Sequence, residues 1–431
     1  MSGQRALGPW TCTALVVGNT LGLGIFMLPA SLAPFGLNAI WAWLAVVVGC
    51  LGLALVFARL ARAMPDTEPY GYLQRTLGPA PAFLALWAYW VSVWVTNAAL
   101  AIGVTGYLAA LLPPLAQVPP MVVGLALVAL ATGVNLLGVR AGGGVQLATT
   151  VLKLVPMASV VLLGLWLLAS RPQTFVAHVP TTPVSMHGVA GAATLALFAM
   201  LGIESASLSA ARARDPQRTV ARATVLGTLL AGAVSLAVCT LPLLLLPQAE
   251  LGASGAPFAL LLDRYLAEGS GRWLALFVVV SGLGALNGWT LLAGEVTRSL
   301  AARGLFPRVF ASQNRHGAPA TALLGCGVLT GAMVAMGGSR ALVDAFTFLS
   351  NLTTLATLPL YLGCALALLM LWRRGPRMAT TFISCVLGLA LVAFAVYGAS
   401  ATVLWMTVAL LAAGLPLYLL ARRRRAIGET G

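Results

Sequence analysis

Apolar runs long enough to cross a bilayer recur along the whole chain, and the connections between them are short and rich in arginine. A helix needs about twenty apolar residues to span a hydrocarbon core of about 30 Å. In that medium every backbone amide and carbonyl must find its partner within the protein, so such runs fold as helices. Of the 431 residues, 60% are hydrophobic and 8% charged, whereas a water-soluble chain is roughly one quarter charged. A soluble enzyme and a small anchored domain are both excluded.

Twelve spans fit the pattern, at about 10–35, 39–61, 82–111, 121–138, 145–169, 187–211, 221–247, 272–302, 319–337, 341–371, 378–399 and 402–421. Arg5 and the run after Trp10 imitate a signal peptide, but the run continues to about Phe35 without a cleavage pattern and reads as the first span. The chain is thus a single transmembrane domain over 1–421 followed by a basic tail at 422–431. The longest outer connections, 170–186 and 248–271, are too short for a soluble domain; the second carries the turn-forming Gly252, Gly255 and Pro257. Spans three, eight and ten are long, and Pro359 is expected to bend the tenth.

The net charge is +15, and its placement sets orientation. With the N-terminus inside, twenty Lys and Arg residues share its face, among them Arg59, Arg62, Arg75, Arg140, Arg212 to Arg222, Arg298 to Arg315, Arg373, Arg374, Arg377 and Arg422 to Arg425. Arg171, Arg264, Arg272 and Arg340 lie opposite, and Lys153 lies within a span. That asymmetry places both termini in the cytoplasm. The tail meets anionic lipid or holds topology, and no domain exists to organise nucleic acid. The six cysteines show no paired spacing and the three histidines are scattered, so neither a disulfide scaffold, a metal site nor a cofactor is expected.

Two of the apolar spans are interrupted. Gly18-Asn19-Thr20-Leu21-Gly22-Leu23-Gly24 places three glycines and an asparagine inside the first, and Gly202-Ile203-Glu204-Ser205 breaks the sixth with a carboxylate. Glycine weakens a helix, and the freed backbone groups require protein, water or a solute as partners. Broken helices at comparable places in two halves of a membrane chain point to a solute site near the midplane. The halves, about 10–169 and about 187–371, each begin with such a break.

Several ordered motifs resemble the amino acid–polyamine–organocation superfamily, and within it the bacterial basic amino acid and polyamine permeases of the arginine–agmatine exchanger type. They are Gly18 to Ala30, Leu201-Gly202-Ile203-Glu204-Ser205-Ala206, Asp215 to Val220, Gly288-Trp289-Thr290 to Gly294, Arg303-Gly304-Leu305-Phe306-Pro307 and Gly317-Ala318-Pro319. The resemblance implies an all-α integral membrane protein of twelve transmembrane helices. Within it a 5+5 inverted-repeat, LeuT-like core is followed by two helices at about 378–421. It further implies alternating access in a bacterial cytoplasmic (inner) membrane and a homodimer held by the last two helices.

At the first break, the amides of Leu21, Gly22, Leu23 and Gly24, with Asn19 beside them, can face a substrate carboxylate. Carbonyls around Val17, Gly18, Ala199 and Met200 can receive its α-ammonium. The bland reading is that these glycines only allow close helix contact. The resemblance places Phe198 and Trp289 around the substrate, where ring faces attract a cationic side chain; ordinary packing is the alternative. It places Asn97, Ser92 and Tyr89 on span three as substrate or gate residues, with helix packing as the competing account. Exchangers of this type carry tryptophan where this chain has Phe198 and a hydroxyl residue where it has Leu23, which weakens a narrow arginine assignment.

Glu204 is costly inside a membrane unless paired, hydrated or protonated, and the resemblance gives it proton coupling or gating; a static hydrogen-bond network is the alternative. Lys153 departs from the exchangers. Other amino acid carriers resembling this fold place a lysine there, where its ammonium can occupy the role of a structural sodium ion. In this chain Lys153 either takes part in proton exchange or stays charged and ties helices together. Glu295 and Arg298, three positions apart, suit a local ion pair. The functional expectation is an amino acid exchanger that prefers cationic substrates such as arginine, with proton coupling open. A polyamine carrier, a broad neutral amino acid permease and a non-transporting receptor are the alternatives. No nucleotide loop or nucleophile–base set supports an enzyme.

Overall fold

The computed structural model describes residues 9–138, 151–203, 216–338, 340–374 and 378–419. The side chain of Asn19, all of Glu204 and the tail at 422–431 lie outside the described residues. The principal helices are α1 Pro9–Thr20, α2 Asn38–Ala63, α3 Pro79–Leu111, α4 Pro120–Leu136, α5 Leu154–Ser170 and α6 Met186–Ala199. They continue with α7 Pro216–Leu245, α8 Ser270–Ala302, α9 Ala320–Met336, α10 Leu342–Arg374, α11 Ala379–Gly398 and α12 Ala401–Ala412. Among the described residues, seven helices are long and apolar enough to cross a membrane. The protein is an all-α, multi-pass membrane protein.

Helices α3, α8 and α10 each run 33 residues, or about 50 Å at 1.5 Å per residue. That exceeds the hydrocarbon core, so they tilt or project beyond it. Pro359 sits inside α10 and Pro242 inside α7. Each removes one backbone donor within its helix. The connection at 248–271 is more ordered than its glycines imply: it forms two short helices, Gln248–Ala253 and Pro257–Tyr265, and only Ser254–Ala256 turns between them.

Which helices sit inside follows from their surroundings. Helix α3 packs most extensively against α10 and α8, and 83% of its most apolar window is buried, against 17% for the last helix. α3 is therefore the central post, and α12 faces the bilayer. The contacts also have a pattern. Helix α1 packs on α7 as α6 packs on α2; α3 packs on α4 as α8 on α9; α3 meets α9 as α8 meets α4. Exchanging each helix for the one five places away preserves these pairs, as an inverted repeat requires. The α3–α10 interface breaks the pattern, because its counterpart between α8 and α5 is slight.

Two side chains tie the bundle across long separations. Arg59 at the end of α2 donates to the Thr380 carbonyl (2.7 Å) and Ser384 Oγ (2.6 Å) near the start of α11. Asn135 Nδ2 on α4 donates to Asn287 Oδ1 (2.9 Å) on α8. Glu295 and Arg298 form the expected local pair at 2.9 Å.

Candidate functional site

The first span is interrupted where its glycines stand. Helix α1 ends at Thr20, a single 3₁₀ turn follows at Leu23–Phe26, and a short helix resumes at Leu28–Leu32. The Leu21 amide donates to the Val17 carbonyl and the Gly22 amide to the Thr20 carbonyl, both at 2.8 Å. The amides of Leu23 and Gly24, at the open start of the 3₁₀ turn, meet no acceptor among the described residues. Of four donors expected to face an anion, two are committed to the helix end and two stay available. In the sixth span α6 ends at Ala199, and Met200 to Ile203 form a turn.

The two interruptions meet around a cavity of ≈ 30 Å³. Thr20, Gly22, Gly24, Thr96, Phe198, Ala199 and Trp289 are among its walls. Space of that size holds about one or two waters, so no amino acid fits until the walls move. The Phe198 ring forms the wall that lies against Gly24. A Cβ built on Gly24 would lie 2.3 Å from Phe198 Cε1, and the ring meets Phe346 edge-on with centroids 5.9 Å apart. The bare Gly24 backbone gives the ring its place.

Thr20 was not among the residues expected from sequence. It is 1% exposed, lines the cavity, and its hydroxyl has no hydrogen-bond partner among the described residues. An unmade hydrogen bond in a buried hydroxyl costs about 1–3 kcal/mol, which an incoming polar group would relieve. The available signal was a hydroxyl beside the break.

Other expected residues lie near the cavity without lining it. Leu21, Leu23 and Met200 are buried in the core, and the Leu23 side chain packs where a Cβ on Gly282 of α8 would stand. Asn97 turns toward α8: Thr290 Oγ1 donates to its Oδ1 at 3.5 Å, and its own Nδ2 reaches the Val93 carbonyl at 3.3 Å. Ser92 Oγ donates to the Tyr89 carbonyl at 2.7 Å. Lys153 caps the start of α5 and its ammonium donates to the Gly18 carbonyl, just ahead of the first break. A cation across 135 residues of sequence thereby holds the end of α1 against α5.

Tyr89 belongs to a second, larger space. A vestibule of ≈ 150 Å³ lies between α3, α8 and the helix Pro69–Leu77, lined by Glu68, Tyr70, Tyr89, Val296 and Arg303. Arg303 reaches Glu68 at 3.4 Å and lies 5.8 Å over the Tyr70 ring. The opposite end is closed. Tyr107 donates to the Phe26 carbonyl (2.9 Å) and accepts from the Phe258 amide (3.3 Å), and the Phe26 ring packs edge-on against Phe258 at 5.5 Å. Among the described residues no group of three or more His, Cys, Asp or Glu gathers to hold a metal ion.

The geometry is that of a small chamber where the first span is interrupted and α6 ends, with a closed cluster toward one end of α3 and a vestibule toward the other. The chain is similar in sequence to membrane carriers. It is 33% identical over 414 residues to the cadaverine/lysine antiporter of Escherichia coli (strain K12), covering 93% of this chain and 91% of that protein. A protein of Bacillus subtilis (strain 168), named provisionally as an arginine/ornithine antiporter, is 32% identical over 398 residues, with 85% and 84% covered. The putrescine transporter PotE of Escherichia coli (strain K12) is 28% identical over 372 residues, again with 85% and 84% covered. The amino acid permease family model matches residues 7–420, nearly the whole chain, and the chain belongs to that family of transporters within the amino acid–polyamine–organocation superfamily.

Proposed function

We propose that the protein is an alternating-access exchanger of cationic amino acids such as arginine and lysine, working without covalent chemistry. The carrying observation is the chamber where the first interruption meets the end of α6, with the Gly24 amide, which has no acceptor among the described residues, on one wall, the similarly placed Leu23 amide beside it, and the Phe198 and Trp289 rings on another. An amino acid presents a carboxylate to the first and a guanidinium or ammonium to the second, where a ring face contributes about 0.5–2 kcal/mol. The relatives' names, all for cationic amino acids or diamines, favour the same class.

Twelve spans in a 5+5 inverted repeat, with both termini in the cytoplasm of a bacterial inner membrane, are the arrangement this reading adopts. The vestibule then opens inward, and the Tyr107–Phe26–Phe258 cluster is the outer closure. Substrate entry moves the Phe198 ring off Gly24, and Tyr89 guards the inner path. Lys153 and Glu204 are the groups through which proton coupling would act, and Asn19, Ser92 and Asn97 support the site. A homodimer would use the apolar outer faces of α11 and α12, where Ile383 and Trp405 are exposed.

A diamine carrier is the second reading, favoured by the relatives' names and by the loss of two of the four expected amide donors. Labelled arginine uptake by purified protein in liposomes tests the proposal, comparing arginine-loaded with empty vesicles at one pH and potential. Uptake at least tenfold faster into loaded vesicles is expected, with lysine competing and its decarboxylated diamine competing more weakly. Stronger competition by the diamine favours the second reading. No flux of arginine or lysine from folded protein overturns the first.

A further inference from the structure

A further cavity lies off the proposed substrate path. A groove of ≈ 560 Å³ opens beside α3, α8 and α9, and its walls include Trp87, Trp90, Phe306, Phe310, Leu324 and Val328. Trp87 and Trp90 sit on a different face of α3 from Tyr89, so one helix separates the groove from the vestibule. Leu324 and Val328 are exposed on the outside of the bundle, which puts the opening toward lipid.

The groove's polar groups are already satisfied from within. Trp90 Nε1 donates to Thr297 Oγ1 (2.7 Å), which donates to the Ala293 carbonyl (2.7 Å) and lies 3.2 Å from Cys326 Sγ. Thr321 pairs with Ser312 at 2.8 Å, and Trp87 Nε1 donates to the Leu410 carbonyl at 2.9 Å. An amino acid or diamine would find no free hydrogen-bonding partner on these side chains and would lose its hydration. A hydrocarbon chain loses nothing.

Depth and charge narrow the occupant. The α9 wall runs from Thr321 to Leu329, about 12 Å at 1.5 Å per residue, close to half of a hydrocarbon core of about 30 Å. The groove is one leaflet deep. The 3₁₀ turn Arg308–Ala311 supplies Phe310 to the wall and follows the wall residue Pro307. Arg308, between those two wall residues but not itself part of the lining, is exposed and in no ion pair among the described residues. Basic pockets between membrane helices attract anionic headgroups. We propose that this groove is a binding site for one anionic phospholipid, with an acyl chain along Trp87, Trp90 and Phe310 and the headgroup phosphate at Arg308. The proposal does not depend on which substrate the protein carries.

Native mass spectrometry of the purified full-length protein, titrated in detergent with phosphatidylglycerol or phosphatidylcholine, tests it. Wild-type protein is expected to bind one phosphatidylglycerol more tightly than phosphatidylcholine. Arg308→Ala should weaken phosphatidylglycerol binding about fivefold, the effect of one surface arginine, and leave phosphatidylcholine unchanged. Val328→Trp should remove both by filling the mouth from an already exposed position. Leu324→Trp replaces it if that variant loses the wild-type melting temperature. Equal binding of the two lipids by wild type overturns the anionic assignment, and undiminished binding in folded groove variants overturns the site. A changed oligomeric state in Val328→Trp with lipid binding intact gives the groove to a second copy instead, and also overturns it.

Discussion

Gly24 and Phe198 are one feature seen from two sides. A methyl group at position 24 would sit 2.3 Å from the Phe198 ring, a distance that forces the ring away and disturbs the chamber. Gly24→Ala is expected to lower exchange by at least tenfold in liposomes while the protein still purifies as folded. Thr20→Val tests the opposite situation. Its hydroxyl is buried without a partner among the described residues, so an isosteric apolar replacement should leave the melting temperature unchanged or raised. If substrate relieves that hydroxyl, the apparent KM should rise about two- to tenfold, the worth of one net hydrogen bond; an unchanged KM removes Thr20 from the site. Lys153→Met leaves the Gly18 carbonyl without its ammonium. A hydrogen bond to a charged group is worth about 1.5–3 kcal/mol, so thermal unfolding should fall by several degrees and exchange should fall with it.

At the scale of the element, the closed end depends on how near α3 can come to the turn at Ser254–Ala256. A Cβ on Gly106 would stand 2.1 Å from the Gly255 carbonyl oxygen, and the neighbouring Tyr107 hydroxyl bridges Phe26 to Phe258. Gly106→Ala should therefore hold that end open. A membrane-impermeant thiol reagent added outside should reach a cysteine placed at Leu100 faster than in the unaltered background. No change would place the closure elsewhere. The pair of Asp66 with Arg75, at 2.6 Å, fixes the start of the helix Pro69–Leu77 from outside the membrane. The hydrogen bond from Arg75 holds the Asp66 carboxyl below its ordinary value. A depressed folded value means that the pair's contribution is present above the unfolded carboxylate range and lost as pH falls through the folded one. Both partners are solvent-exposed, where such pairs contribute little. Melting temperature should thus be flat between about pH 5 and pH 8 with respect to this pair.

At the scale of the whole molecule, arginine placement and helix direction make one topological statement. Arg59 and Arg62 end α2, Arg303 and Arg308 follow α8, and Arg373 and Arg374 end α10. Single cysteines at Arg308 and Gly269, in sealed right-side-out vesicles, should label from the inside and the outside respectively; the reverse pattern inverts the topology. Composition was enough to determine the medium, because burying so few charges among so many apolar residues is possible only in lipid. The glycines at 18–24 were enough to place the first break, because helix propensity is local. The ordered motifs carried the family. The partners across the chamber were beyond any local signal. That Lys153 meets Gly18, that Asn97 faces Thr290 and not the cavity, and that Phe198 rests on Gly24 depend on how distant helices cross. Hydropathy records which medium a residue prefers, and in a chain apolar on every side it carries no record of which neighbour that residue will touch. The sequence alone therefore determined a membrane carrier with a broken first helix, and the tertiary structure alone decided which atoms close around its chamber, because contact is set by packing between helices and not by the preference of any one of them.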